Sequence, residues 1–256
     1  ALHDYFPICP SHFLLDASET YCGVPDIETC SRCLPELDFW FVSFFESRDI
    51  HLWRSKWGAC LGVADRVLCF SNASRDLLLK AYPELRTDRI SVVPHATSYF
   101  PSRKPQVNMS SGLHIGVLGE IGPHKGCAIV QALSQEIVRQ KAGIRISVIG
   151  TLEADCDATV VTETGPYEAS SLVDMVEASG ANVFLFPSIW PETFSYVVDE
   201  LMQLEVPIAC FDMGAPAERV RRYPRGKLIP FSNARDILSA LNTFHAELTR
   251  PIVIGE

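Results

Sequence analysis

From Leu113 onward the chain alternates short apolar runs with stretches of helical period. Leu113–Leu118 predicts a buried strand, followed by a glycine-rich turn and a helix over Cys127–Lys141. Ile144–Ile149 predicts the next strand, and Asn182–Phe186 a later one that leads through a loop into a helix over Tyr196–Leu204. Pro207–Phe211 predicts a further strand, after which a glycine-containing loop runs toward Gly226-Lys-Leu-Ile. Fully apolar strands separated by helices fit a sheet covered on both faces, and so an α/β, doubly wound parallel sheet with right-handed crossovers. Ligands on such sheets sit at the carboxyl ends of the strands, which directs the search to the loops that follow them.

Upstream the pattern is less regular. Residues 36–97 hold a long apolar-aromatic stretch, Leu37–Trp57, that predicts a helix. Strand Arg66–Phe70, helix Ser74–Tyr82 and strand Arg89–Val93 follow, with Ser71 placed to cap the helix. Residues 98–112, with two prolines, four serines and a terminal glycine, read as a linker. Residues 1–35 are rich in Cys, Pro and Asp without a clear period, and so read as ordered but irregular.

An apolar fraction of 47% is enough for a proper core. The net charge of −9 argues against nucleic acid as the partner, because phosphate backbones are gripped by clustered Lys and Arg. The longest apolar runs, such as Ala181–Phe186 and Val206–Phe211, are of strand length, so no transmembrane segment is expected. Ala1-Leu-His-Asp has neither the basic start nor the apolar core of a signal peptide. The absent initiator Met suggests a processed chain or a piece excised from a longer one. Five of the nine cysteines (Cys60, Cys69, Cys127, Cys156, Cys210) are scattered singly among apolar residues, as reduced thiols are in cytoplasmic proteins. The expected location is therefore cytoplasmic, with peripheral association with the inner membrane left open.

Two segments carry the chemistry. Gly119-Glu-Ile-Gly-Pro-His-Lys-Gly126 follows a strand and opens a helix. Its glycines let backbone approach a ligand, the helix end offers amides to a phosphate, and Lys125 adds a cation. A tight turn with a solvated lysine is the plainer alternative. The second segment, Phe186-Pro-Ser-Ile-Trp-Pro-Glu-Thr-Phe-Ser-Tyr-Val-Val-Asp-Glu200, places Glu192 in a loop and Glu200 in a helix. At about 100° per residue, Glu200 falls at the edge of the stripe of Val197, Val198, Leu201 and Leu204. There it can accept hydrogen bonds from ligand hydroxyls. Thr193, Phe194 and Ser195 precede the helix, where amides face an anion. A helix cap and a surface glutamate are the plainer readings of the two carboxylates.

Together these segments resemble the retaining, GT-B-type nucleotide-sugar glycosyltransferases, the large group related to glycogen and sucrose synthesis. The resemblance rests on Gly119 to Gly126, on Pro187-Ser188 with Glu192 and Glu200, on Met213-Gly-Ala-Pro-Ala-Glu218, and on Gly226. Ala64–Ser71 and Ile90–Pro94 look like closing strands of that group's acceptor domain. It implies a Rossmann-like GT-B fold, with residues 1–97 as the partial N-terminal acceptor domain (1–35 a Cys-rich insertion), 98–112 a linker and 113–256 the donor domain. It implies that Lys125, helped by His124 and the backbone at Gly119 and Gly122, neutralises the donor diphosphate. Glu192 would hold donor-sugar hydroxyls, Glu200 the ribose hydroxyls, the Thr193, Phe194 and Ser195 amides the distal phosphate, and Tyr167 the edge of the base. His3 matches the acceptor-domain histidine that reaches the donor sugar, so Glu192, Lys125 and His3 are the implied catalytic residues.

The implied partners are a UDP-, GDP- or dTDP-sugar and a glycan or lipid-linked acceptor, with polysaccharide biosynthesis as the setting and no catalytic metal. Two departures stand out. Glu120 replaces the family's arginine after the first glycine, and Glu205-Val-Pro207 removes a glycine at the end of the Tyr196–Leu204 helix. Glu120 keeps open a catalytically silent nucleotide-binding module, and a nucleotide-sugar epimerase of similar architecture is the other alternative.

Cys9, Cys22, Cys30 and Cys33 form a separate constellation ending in Cys-x-x-Cys. Four thiolates can make a closed tetrahedral structural zinc site, which keeps no position open for catalysis. His3 and His12 are further candidate ligands. Free thiols, disulfides and a metal cluster remain alternatives on spacing alone.

Overall fold

The computed structural model of the chain describes residues 1–37, 48–97 and 99–250. These divide into two compact units. The first comprises residues from Ala1–Ala96 with Ile189–Ser195 and Met213–Glu218; the second holds Thr97–Ser188, Tyr196–Asp212 and the residues from Arg219 onward.

In the first unit, α1 (Ile27–Cys33), α2 (Ile50–Val63), β1 (Val67–Cys69), α3 (Asn72–Ala81) and β2 (Ile90–Val92) follow in order. The described part of the expected Leu37–Trp57 helix begins only at Ile50, where the Asp49 carboxylate caps the amides of His51 and Leu52; residues 38–47 lie outside the described set. The two strands pair in parallel with Val67 opposite Ile90. The Ser71 hydroxyl accepts from the Ser74 amide and starts α3, as the sequence predicts. Residues 1–26 build no ladder beyond one isolated bridge, Leu15 to Tyr21. Aromatic burial holds this segment instead. Tyr5 is fully buried, its hydroxyl donates to the Pro191 carbonyl at 2.6 Å, and Trp190 packs on Tyr5 and Phe13 at ring distances of 6.3 and 4.9 Å.

The second unit is the predicted doubly wound sheet. Its strands are β3 (His114–Ile121), β4 (Arg145–Leu152), β5 (Val161–Glu163), β6 (Val183–Phe186), β7 (Ile208–Phe211) and β8 (Gly226–Ile229). They form one six-stranded parallel sheet in the order β5-β4-β3-β6-β7-β8. Strands β6 and β7 are buried along their whole length, so their continuous apolar sequence follows from helices on both faces. The helices of this unit are α4 (Cys127–Gln140), α5 (Leu172–Ser179), α6 (Tyr196–Gln203) and α8 (Ala234–Thr249), whereas α7 (Gly214–Val220), where the sequence reads as a glycine-containing loop, belongs mostly to the first unit. Three elements of this unit escape the sequence pattern, as α1 does in the N-terminal segment read as irregular. β5 is a short edge strand reading Val-Thr-Glu, α5 spans barely two turns, and α8 carries its stripe of Ile237, Leu238, Leu241 and Phe244 in a stretch that the sequence left unassigned.

The chain steps outward from β3 to β4 to β5, then jumps back to place β6 on the other side of β3. The strand order therefore reverses between β3 and β6, and the crevice outside their carboxyl ends is where such sheets take ligands. Gly126, just past β3, adopts φ +86°, and a Cβ there would stand 2.1 Å from the carbonyl oxygen of Pro187, just past β6. Only glycine permits that approach.

The described residues of the segment read as a linker, 99–112, form no helix or strand, yet they are tied down along the second unit. Arg103 pairs with Asp174 and Glu177 of α5. The buried Asn182 side chain donates to the carbonyls of Asn108 and Gly112 and to the Ser111 hydroxyl. At the end of α6 the missing glycine changes little in geometry, because Glu205 itself takes the left-handed conformation at φ +58°. A side chain in that region carries a cost of about 1–2 kcal/mol.

Two stability predictions follow from the backbone. Gly126→Ala adds a Cβ where neither the torsion nor the space allows it, and should lower the unfolding free energy by about 2–4 kcal/mol in a urea titration. Glu205→Gly relieves a left-handed side chain and should raise it by about 0.5–1 kcal/mol, after the entropy that glycine adds to the unfolded chain.

Candidate functional site

In the second unit, β3 ends at Ile121 and a single 3-10 turn, Pro123–Lys125, precedes α4. The Lys125 and Cys127 amides both donate to the Gly122 carbonyl, at 3.0 and 3.2 Å. This one turn sets His124 and Lys125, both half-buried, immediately past the carboxyl end of β3. The two earlier glycines serve different needs. Gly119 has φ +116°, and a Cβ on it would press on Val197 at 3.3 Å. Gly122 is extended, a conformation open to any residue, and its missing Cβ would meet the Glu153 carboxylate at 3.2 Å. Glu120 is exposed on β3 opposite Thr151.

Glu200 lies where its helical position predicts. α6 buries Val198 and Leu201, and Leu204 beyond it is buried too, while Glu200 stays half-buried at the edge of that stripe. Tyr167, on the loop after β5, donates its hydroxyl to the Glu200 carboxylate at 3.0 Å. Burial raises the Glu200 carboxyl above its ordinary value; the Tyr167 hydrogen bond opposes that rise and the neighbouring Asp199 adds to it. Tyr167 is itself pushed up, first by burial and then by Glu200 and Glu120. Tyr99, which the sequence did not single out, feels the same carboxylate. Its hydroxyl is buried without a hydrogen-bond partner among the described residues. Two phenols and two carboxylates thus converge from sequence positions 99, 120, 167 and 200. Asp199, the next residue on α6, is buried and salt-bridged to Arg219.

In the first unit, Glu192, Thr193 and Ser195 are buried. The Glu192 carbonyl accepts from the Ala215 amide at 2.9 Å, which fixes the loop on the start of α7. The Glu192 carboxylate raises the already elevated pKa of Tyr5, a secondary effect behind burial, so the two lie within electrostatic reach. The Thr193 hydroxyl donates to the His3 carbonyl at 2.7 Å. The exposed His3 ring lies 5.1 Å from Phe70, and Phe70 stacks on His95 at 3.7 Å. His95 in turn meets Phe194 edge-on at 5.2 Å. Sequence reading missed His95. The signal was its place just after Val93-Pro94 at the carboxyl end of β2, the position rule applied downstream. Glu218, at the end of the Met213–Glu218 segment, sits on α7 and accepts from the Asn72 side chain and the Ala73 amide at the start of α3, at 2.6 and 3.1 Å.

The cysteine constellation is brought together elsewhere in the first unit. Cys9, Cys22, Cys30 and Cys33 all line one cavity of about 360 Å³, and neither His3 nor His12 does. Burial pushes the Cys9 thiol up to about 12 and Cys22 to about 11. Among the described residues no helix is long and apolar enough to cross a membrane.

The comparisons bear on the fold and the family. No curated protein matches the sequence. Sucrose-phosphate synthase from Thermosynechococcus elongatus superposes with a TM-score of 0.60 at 20% identity, covering 84% of this chain and 57% of that one. A variant of S. aureus TarM, solved with UDP, α-GlcNAc-glycerol and Fondaparinux, gives 0.58 at 14% identity over 80% and 42%. Anabaena HepE, solved with UDP-glucose, gives 0.56 at 16% over 76% and 58%. The chain spans about half the length of these proteins, and the likeness establishes the shared GT-B fold. The sequence model described as "Glycosyl transferases group 1" matches residues 114–247, just over half of the chain. The chain therefore belongs to the group 1 glycosyl transferase family.

Proposed function

We propose that this chain binds a nucleoside diphosphate sugar and, in the whole protein, passes the sugar with retention to a glycan or lipid-linked acceptor. The observation that carries the reading is the half-buried Glu200 carboxylate, oriented by Tyr167 after a strand that flanks the reversal of strand order. A carboxylate already held by a phenol is a strong acceptor for a vicinal diol, and ribose offers one. In this reading Tyr167 and Tyr99 shape the nucleoside end. Lys125 and His124, with the Gly119 and Gly122 backbone, face the diphosphate. The resemblance gives Glu192 and His3 to the donor sugar and the Thr193–Ser195 amides to the distal phosphate.

The chemistry asked of these groups is electrostatic. As the bond to the leaving diphosphate stretches, positive charge grows on the sugar and negative charge on the phosphate oxygens. Lys125 stabilises the latter, and a cation fixed before reaction contributes without reorganising. Glu120 supports a second reading, a chain that binds nucleotide and transfers nothing. A carboxylate stands where the family resemblance expects a guanidinium, and it lies within electrostatic reach of Tyr167.

Calorimetry with UDP, GDP, dTDP and their sugars tests donor binding. One nucleotide series is expected to bind, and Glu200→Gln and Lys125→Ala should each weaken it by about 10- to 100-fold, as loss of a charge-assisted hydrogen bond does. Absence of binding by every nucleotide, or unchanged affinity in both variants, would sink the proposal. Binding without transfer by the full-length protein would favour the silent reading.

A pH series separates the electrostatics of Glu200 from its ligand role. Its folded pKa is raised, so its contribution to stability is fully present below the ordinary value of 4.5 and is lost as pH rises through the folded value. Gln carries no charge in either state. Glu200→Gln should therefore gain stability relative to wild type as pH climbs above that value, and level off at neutral pH. Urea midpoints measured from acid to neutral pH check the trend, and a flat difference would show that burial of the charge carries no cost.

A further inference from the structure

We propose that Cys9, Cys22, Cys30 and Cys33 form a structural zinc site that staples the irregular N-terminal segment of the first unit. Cys30 and Cys33 lie three residues apart on α1, which puts them on one helix face. Cys22 follows the Leu15–Tyr21 bridge, its amide bonded to the Leu14 carbonyl at 3.0 Å, and Gly23 and Val24 then turn the chain through φ +64° and +54°. Cys9 is fixed from the other direction, by its amide bond to the Tyr5 carbonyl at 3.0 Å. The topology thus brings cysteines from three separate stretches to the lining of a single cavity of about 360 Å³.

The other five cysteines show what unclustered thiols look like in this chain. Cys69, Cys127 and Cys210 are buried singly, Cys156 is half-buried in a different unit, and Cys60 is exposed. The four clustered thiols are all half-buried around shared space.

Among the described residues no three His, Cys, Asp or Glu side chains stand at metal-ligating spacing. Coordination therefore requires the four thiols to close on one another from the positions they hold around the cavity. Zn–S bonds are about 2.3 Å, so a four-thiolate tetrahedron fits within that volume. The Arg54 guanidinium, 3.3 Å from the Cys30 sulfur and 3.3 Å from the Ile8 carbonyl, can offset part of the charge of four thiolates. The local apolar core is small, built on Leu34, Leu37, Ile50 and Trp53 with Cys9, Cys30 and Cys33 packed against it. A metal bond can contribute to such a segment what a ladder does elsewhere. Zinc is the metal assigned because four soft ligands on a loop-rich segment suit a closed tetrahedral site.

The proposal is independent of the nucleotide reading, and its test uses the purified chain in reducing buffer. Elemental analysis should find about one zinc per chain, falling below about a tenth in Cys9→Ser and Cys33→Ser but not in Cys60→Ser. Should the serine variants fail to fold, wild type still decides. Replacement by cobalt(II) should give thiolate-to-metal charge-transfer absorption with the strong visible bands of a tetrahedral site, and a chelator should lower the unfolding midpoint. Metal-free protein that folds with all nine thiols titratable on unfolding, a disulfide within the cluster, or an iron–sulfur chromophore would each overturn the assignment.

Discussion

The jump of the chain from the β5 edge back to the far side of β3 is the constraint on which the second unit depends. Parallel strands need crossovers, and crossovers of one hand place successive helices on opposite faces once the direction of winding reverses. No helix then closes the end of the sheet at β3 and β6, and the loops after those strands are left to meet a ligand. The contact of Gly126 with the Pro187 carbonyl shows how tightly the two loop origins are drawn together. A side chain at Gly126 would push apart these two strand ends.

What stands at those strand ends is a balance of opposite charges inside an acidic protein. His124 and Lys125 follow β3 on a single turn, while Tyr167 after β5 meets Glu200 after β6, and Tyr99, from the segment before β3, feels the same carboxylate. The first group offers basic nitrogens, and the second offers phenols and a carboxylate. Glu120 sits awkwardly in this division. It adds negative charge within electrostatic reach of Tyr167. Retaining a half-buried carboxylate with a raised pKa lowers stability at neutral pH.

The first unit is held by different means. With a two-stranded sheet and one isolated bridge before α1, it has few ladder hydrogen bonds. Buried aromatics, the caps at Asp49 and Ser71, and the Glu218 carboxylate at the start of α3 do that work instead. The cysteine cluster lies in the most irregular part, where a cross-link has most to add.

Much of this was legible in the chain itself. The apolar runs at Leu113–Leu118, Asn182–Phe186 and Pro207–Phe211 specify buried parallel strands, because alternation is lost only when both faces are covered. The stripe of Val198, Leu201 and Leu204 places Glu200 at its edge by helical geometry alone. Short polar pieces such as β5 were not legible, because three residues of Val-Thr-Glu carry no period. Glu205 in the left-handed region was not legible either, since the cost of that torsion is met by the surrounding backbone. Above all, sequence spacing cannot say which distant side chains meet. The bonds from Tyr167 to Glu200 and from Thr193 to the His3 carbonyl span 33 and 190 residues. Local pattern determined the elements and the order of the motifs. Only the tertiary fold, by its choice of strand order, decided which of those motifs share a surface.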